Sequence, residues 1–308
     1  MGAKPGTAFL RPAALITLSL ALILGGCGPQ STTDPADQIR LGWNRFRVSE
    51  FTQAAAAFEK ARDGTTPDNP LHVQALYGLA STWNLRRPGD NRALAGQLYE
   101  KVVALAPKSD EAAWSLLALA RMKHLPPVGQ EPDLAEVRTA YQDVIDRFPS
   151  HLAGHEAFMH QQASLAASYK PEDAREVLAN IEAFIQKNPS SPFLSPLYAL
   201  MGQCYFVLGE PEKRLAVELE SLDTREIDPT NPNMDNAAVY WTLACLAEFE
   251  VADYATARKF HKLLLEEYPT DVRVYAAKQA LKRMDEMEAK FRAAPAAPKS
   301  AAGGGGPP

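Results

Sequence analysis

The stretch YATARKFHKLLLEEYP, from Tyr254 to Pro269, decides the fold. Tyr254, Ala257 and Leu264 fall on one face of a helix, since residues three, four and seven apart share a face. Pro269 stops that helix, because its ring fixes φ and pushes the preceding residue out of the α region. The same stop recurs upstream. Pro67, Pro107, Pro149, Pro189, Pro229 and Pro269 stand 40, 42, 40, 40 and 40 residues apart, and Phe148, Asn188, Asp228 and Tyr268 precede four of them. Six stops at a near-constant interval imply six copies of one supersecondary unit. From about residue 37 to about residue 292 the pattern is helical throughout, with no sustained alternation of the kind a strand needs.

Each unit pairs small residues with large ones. Unit six has Trp241, Ala244-Cys245, Tyr254, Ala257, Leu264 and Pro269; unit one has Leu41-Gly42, Phe51, Ala54, Phe58 and Ala61. Unit two offers Leu76, Leu79-Ala80, Trp83, Ala95, Tyr99 and Val102, and unit three Trp114, Leu117-Ala118, Val137, Tyr141 and Val144. Small residues let antiparallel helices approach, and large ones fill the space on either side. This pattern resembles the tetratricopeptide repeat. The resemblance covers about residues 37–270 and implies an all-α, right-handed solenoid of about six helical hairpins. Unit four, with Ala163, Val177, Ile181 and Phe184, is the most degenerate. Unit five keeps Tyr198, Met201-Gly202, Tyr205 and Leu208-Gly209, but Arg214 and Glu218 stand where a small residue and an aromatic belong. The period exceeds the family's usual length of about 34, and the excess falls in turns at 86–91, 124–132 and 231–236. Length alone would also fit HEAT-type units; the alanine, aromatic and proline positions favour the tetratricopeptide type.

Both ends lie outside the repeats. Lys4 and Arg11 make a basic start, and Pro12 to Leu24 is an apolar run of 13 residues. A permanent membrane helix needs about 20. Leu24-Gly25-Gly26-Cys27 resembles the lipobox of bacterial lipoproteins, which implies a signal peptide over 1–26, cleavage after Gly26 and a diacylglycerol on the Cys27 thiol. The alternative is an ordinary secretory signal with an incidental cysteine. Residues 27–36 read as a flexible tether. Gly28 rather than aspartate after Cys27 favours the outer membrane in the enterobacterial sorting scheme. At the other end Val274, Ala277, Leu281, Met284 and Phe291 form one stripe of a capping helix that ends at about 292. The tail 293–308, rich in Pro, Ala and Gly, has nothing to bury and is expected to be disordered.

Charge and chemistry narrow the function. The net charge is −5, and −7 without Lys4 and Arg11, which gives no basic face for nucleic acid. No nucleophile elbow, dinucleotide fingerprint or paired-carboxylate arrangement appears, and Gly303–Gly306 has neither the lysine nor the helix of a phosphate loop. The reading is therefore a non-enzymatic protein with no cofactor and no small-molecule substrate. His151, His155, Glu156 and His160 invite a metal site, but His155 and His160 are five apart and point about 140° away from each other on a helix. No metal is expected. An oxidising compartment would permit a disulfide between Cys204 and Cys245; equally, both fit as small buried residues.

The remaining surface is the concave groove. In tetratricopeptide arrays the first helix of each hairpin lines it, which points here to Trp43, Phe46 and Arg47, then Asn84, then Met122 and Lys123, then Gln203 and Phe206, then Phe249. Such an apolar stripe suits a peptide or a helix of a partner, unless the superhelix closes over it. The expected partners are other envelope proteins, with membrane contact through the lipid anchor. A self-assembling structural repeat and a non-catalytic subunit of an envelope enzyme complex are the alternatives.

Overall fold

The computed structural model describes residues 34–85, 91–228, 231 and 234–293. The signal peptide, Gly26, Cys27, Pro229 and the tail from 294 lie outside the described residues. Among the described residues there are thirteen α-helices and no strand. Six hairpins follow one another: α1 (Pro35–Arg47) with α2 (Phe51–Asp63), α3 (Pro70–Leu85) with α4 (Arg92–Leu105), and α5 (Asp110–His124) with α6 (Leu134–Arg147). Then come α7 (Leu152–Ala166) with α8 (Pro171–Lys187), α9 (Leu194–Leu208) with α10 (Pro211–Asp223), and α11 (Ala237–Cys245) with α12 (Tyr254–Glu267). A π-helical segment, Leu246–Val251, continues α11, and α13 (Val274–Ala293) closes the series. First helices of adjacent hairpins also touch, α1 with α3, α3 with α5, α5 with α7 and α7 with α9, which is the arrangement of a stacked solenoid.

Four of the six proline stops act as expected, while α2 and α10 end earlier, at Asp63 and Asp223. α4, α6, α8 and α12 end two residues before Pro107, Pro149, Pro189 and Pro269. The start needs a correction. Asp34 accepts a hydrogen bond from the Ala36 N–H at 3.0 Å, and Pro35 suits a first turn because its missing N–H is not needed there. Residues 35 and 36, assigned to the tether, are therefore helical.

Four hairpins turn through a left-handed residue: Ser49 (φ 62°), Tyr169 (φ 54°), Gly209 (φ 69°) and Ala252 (φ 60°). The residue after each of three of these donates back into the first helix, Glu50 to Arg45 O, Glu210 to Tyr205 O and Asp253 to Ala247 O. That bond satisfies carbonyls a helix end would otherwise leave open.

Packing follows the small-and-large code, with two refinements. Phe58 is fully buried between α1 and α3. A Cβ added at Gly42 would lie 2.6 Å from its ring, and one at Gly78 would lie 2.4 Å away. In unit two the residue that gives way to Phe58 is therefore Gly78, not Ala80. In unit five, Glu218 occupies the aromatic's place. A Cβ at Gly202 would fall 2.5 Å from its carboxylate oxygen, so the small partner is kept although the large one has become polar. Burial pushes the Glu218 carboxyl above its ordinary value, with Arg214 opposing. The cap buries Ala277, Ala280 and Met284 and half-buries Leu281; the side chain of Phe291 lies outside the described part.

The π-helical segment was not foreshadowed in the sequence. Its wider turn aims Glu248 inward and leaves Phe249 and Glu250 exposed. Glu248 then accepts two bonds from the Arg283 guanidinium on α13, at 2.6 and 2.9 Å, and ties the cap to the last hairpin.

Candidate partner-binding cleft

The first helices of hairpins one to three, with Arg92 and Tyr99 of α4, line an open cleft of about 410 Å³. Four of the expected groove residues meet there: Trp43 and Phe46 from α1, Asn84 from α3 and Met122 from α5. Helical spacing places them. On α3, Asn84 and Leu85 lie three and four residues after Ser81, which lies four after Tyr77; on α5, Trp114, Ala118 and Met122 stand four apart, with Leu125 just past the helix end.

The cleft floor is aromatic. The Trp43 ring stands edge-on to Phe58 at 5.1 Å and to Phe46 at 5.5 Å, and tilts toward Tyr77 at 5.9 Å. Tyr77 in turn faces Tyr99 at 6.1 Å. The glycine niche that holds Phe58 therefore also fixes the support beneath Trp43. Burial pushes the Tyr99 phenol up to about 12, and its hydroxyl donates to Ser81 Oγ at 3.4 Å. It is a neutral group at any physiological pH.

Two arginines complete the wall. Arg92 donates to the carbonyls of Met122 and Leu125, each at 2.8 Å, and so closes the C-terminus of α5, where a cation is favoured. Arg121 is half exposed and lies 3.2 Å from Glu156. A smaller recess of about 170 Å³ adjoins the cleft; Trp43, Tyr77 and Trp114 line both, and Gln74, Asp110 and Glu111 complete the recess.

The other expected groove residues lie elsewhere. Arg47 and Lys123 are exposed and line neither space, and Lys123 pairs with Glu136. Gln203 is half-buried on α9. Phe206, 59% exposed, lines a separate shallow depression of about 360 Å³ with Arg214 and Glu250. There the Arg214 guanidinium lies 5.1 Å over the Phe206 ring and donates to both Glu250 oxygens at 3.2 Å. Phe249 sits on the π-helical segment beneath Arg283, at 5.2 Å, and lines none of these three spaces.

Sequence reasoning missed Tyr77, Arg92 and Arg121 as cleft residues, and it assigned Tyr99 and Trp114 to packing. The signal for Trp114 was present: the step 114–118–122 continues the stripe that ends at Met122. Arg92 could not be found this way, because it comes from a second helix.

Cys204 and Cys245 are both free thiols, so the disulfide is corrected. Cys204 is buried in the core of hairpins four and five, and burial raises its pKa to about 11. α10 packs between α9 and the α11–π segment and separates the two. The histidines face different partners, and His160 also lies 3.5 Å from Glu156. His151 accepts from the Ala153 N–H at 3.0 Å and caps α7, His155 faces Ser191 Oγ at 3.1 Å, and His160 stacks on Tyr141 at 5.6 Å.

Stacked hairpins with small-residue niches, a capping helix and an inner cleft define a tetratricopeptide-type α-solenoid. Among solved structures, the chain is similar to PilF of Pseudomonas aeruginosa, with a TM-score of 0.53 and 16% identity over 80% of this chain and 96% of that one. It is equally similar to PilW, a type IV pilus biogenesis factor, with a TM-score of 0.53 and 14% identity over 79% of this chain and 97% of that one. No family model and no curated protein matches the sequence.

Proposed function

We propose that the chain is an interaction scaffold of the bacterial envelope. It holds a segment of a partner protein in the cleft of its first three hairpins, and acyl chains on Cys27 tether it to a membrane. The observation that carries the binding half is the cleft: three successive repeats each contribute an aromatic residue to one concave space, beside Asn84, Arg92 and Arg121. Aromatic residues and arginine are the side chains that most often anchor partners, because they bury much area at little conformational cost. The role is binding rather than catalysis.

The tether is supported by Leu24-Gly25-Gly26-Cys27 after a short apolar run. One acyl chain anchors weakly and several anchor firmly, since each buried methylene contributes about 0.8 kcal/mol. Gly28 supports the outer membrane, with the solenoid in the periplasm. The shared fold of PilW, a pilus biogenesis factor, supports assembly of an envelope complex as the setting.

A photo-crosslinking residue placed at Met122 in native membranes tests the binding half. We expect one partner to crosslink from Met122 and not from exposed Lys60 on α2; equal labelling from both positions would remove the cleft as the binding surface. Cys27→Ser tests the tether, and the variant should leave the membrane fraction and lose the lipid label. Unchanged fractionation and label-free Cys27 in the parent would end that half of the reading.

A further inference from the structure

The cleft and its recess form one groove with a single stripe of α5 along one side. Glu111, Trp114, Ala118 and Arg121 follow one another at three- and four-residue steps, with Leu125 just past the helix end, and every one of them lines the cleft or the recess. Charge is divided along this stripe. Asp110 and Glu111 lie at its N-terminal end in the recess, while Arg121 and Arg92 lie at its C-terminal end in the cleft. The Trp43, Tyr77 and Trp114 rings, shared by both spaces, stand between the two.

We infer that this groove selects an extended peptide segment with a basic residue, an apolar residue and an acidic residue in that spatial order, the two charges four to five residues apart. The inference rests on the partner-binding reading of the cleft. The spacing follows from the helix. Glu111 and Arg121 are ten positions apart on α5, which at 1.5 Å per residue is about 15 Å. An extended chain covers that distance in about four to five residues at 3.3 Å each.

The extended form is the shorter route between the two ends, since a helix rising 1.5 Å per residue would need about ten residues for the same 15 Å.

Each end has the chemistry for its charge. A lysine or arginine in the recess would meet two carboxylates and the faces of Trp and Tyr rings, which attract cations through their quadrupole. Among the described residues, the one basic side chain within 4 Å of either carboxylate is His151, whose Nε2 lies 3.5 Å from Asp110. An aspartate or glutamate at the other end would meet Arg92, whose bonds go to neutral carbonyls. It would also meet Arg121, whose pairing with Glu156 is half exposed and exchangeable at little cost.

Fluorescence anisotropy on the full-length protein with labelled pentapeptides tests this. The probes carry Lys and Glu at the two ends with Phe between, Gln at both ends, or Lys at both ends. We expect the Lys–Glu peptide to bind about tenfold more tightly than the Gln form, an advantage that 0.5 M salt should remove. Arg121→Glu should weaken the Lys–Glu peptide and strengthen the Lys–Lys peptide; Glu111→Lys should weaken both. Equal binding of the charged and Gln peptides, or Arg121→Glu acting alike on both charged peptides, would overturn the charge division and leave the apolar cleft standing. If no peptide binds, the inference falls. If Met122 crosslinking is also no stronger than Lys60 crosslinking, the partner-binding reading falls with it.

Discussion

Gly78→Ala should destabilise the solenoid, although the same change in an ordinary helix stabilises it. Alanine is favoured over glycine in a helix interior by about 1 kcal/mol. At position 78, however, the new methyl would stand 2.4 Å from the Phe58 ring, well inside contact distance. The ring cannot retreat, because Gly42 on the opposite helix already approaches so closely that its own Cβ would lie 2.6 Å away, and Trp43 stands edge-on at 5.1 Å. Overpacking of a close-packed core costs about 1–3 kcal/mol, and a ring held on both sides belongs at the upper end. Less the helix gain, the net loss is about 2 kcal/mol.

For a protein of this size that loss lowers the melting temperature by roughly 4–8 °C, and urea midpoints at constant m report it directly. The strain should be relieved in part by Phe58→Leu in the same chain, so the pair should be less damaging than the two single losses added. A Gly78→Ala variant as stable as the parent, or more so, would refute the niche. Because Trp43 rests on Phe58, the variant should also shift tryptophan emission, which ties the niche to the cleft.

Ala257→Leu should cost about 1–3 kcal/mol by the same logic, because Ala257 is fully buried against the α11–α13 layer; a neutral melting curve would count against the assigned register. Ala252→Gly and Ser49→Gly should be neutral or stabilising by up to about 1 kcal/mol, since they relieve a left-handed φ at a turn, whereas Gly209→Ala at the equivalent turn should cost about 1 kcal/mol. Stability should fall as pH drops below about 6.5, because unfolded histidine takes up a proton there while burial holds the folded His261 pKa below its ordinary value. Glu248 on the π-helical segment opposes that shift and Arg283 on α13 adds to it. The unfolded chain then binds more protons, so the loss is absent above the unfolded pKa and grows toward the lower folded one. His261→Phe should shallow that slope in urea midpoints taken from pH 7.5 to pH 5; an unchanged slope would remove His261 as a source, leaving His124 and His155, which burial shifts the same way.

The repeat was legible because a solenoid writes its architecture in local, periodic terms. Proline stops and small-to-large pairs recur in each unit, and each can be read without knowing what lies elsewhere in the chain. The same locality explains the failures. Phe58 needs a small residue from the following unit, and whether that residue is Gly78 or Ala80 depends on helix rotation of a fraction of a turn. The π-helical segment has no composition of its own: LAEFEV would pass as the end of any α-helix. What reveals it is Glu248, a carboxylate turned inward because Arg283 waits 35 positions later.

The groove was half legible for a related reason. Residues on the first helices at the expected register were found where those helices face a common space, as Trp43, Phe46, Asn84 and Met122 do. The expectation broke down at Phe206 and Phe249, because it assumed one continuous groove through every unit. Hairpin five replaces its aromatic with Glu218, and hairpin six ends its first helix in a π turn. Arg214 and Arg283 lie over the two exposed rings. A guanidinium stacked on a ring and paired to a carboxylate covers apolar surface while keeping it wet. The cleft is therefore lined by the first three hairpins, while in the fifth and sixth each exposed ring lies under a guanidinium. The proposed partner site spans three repeats and not six.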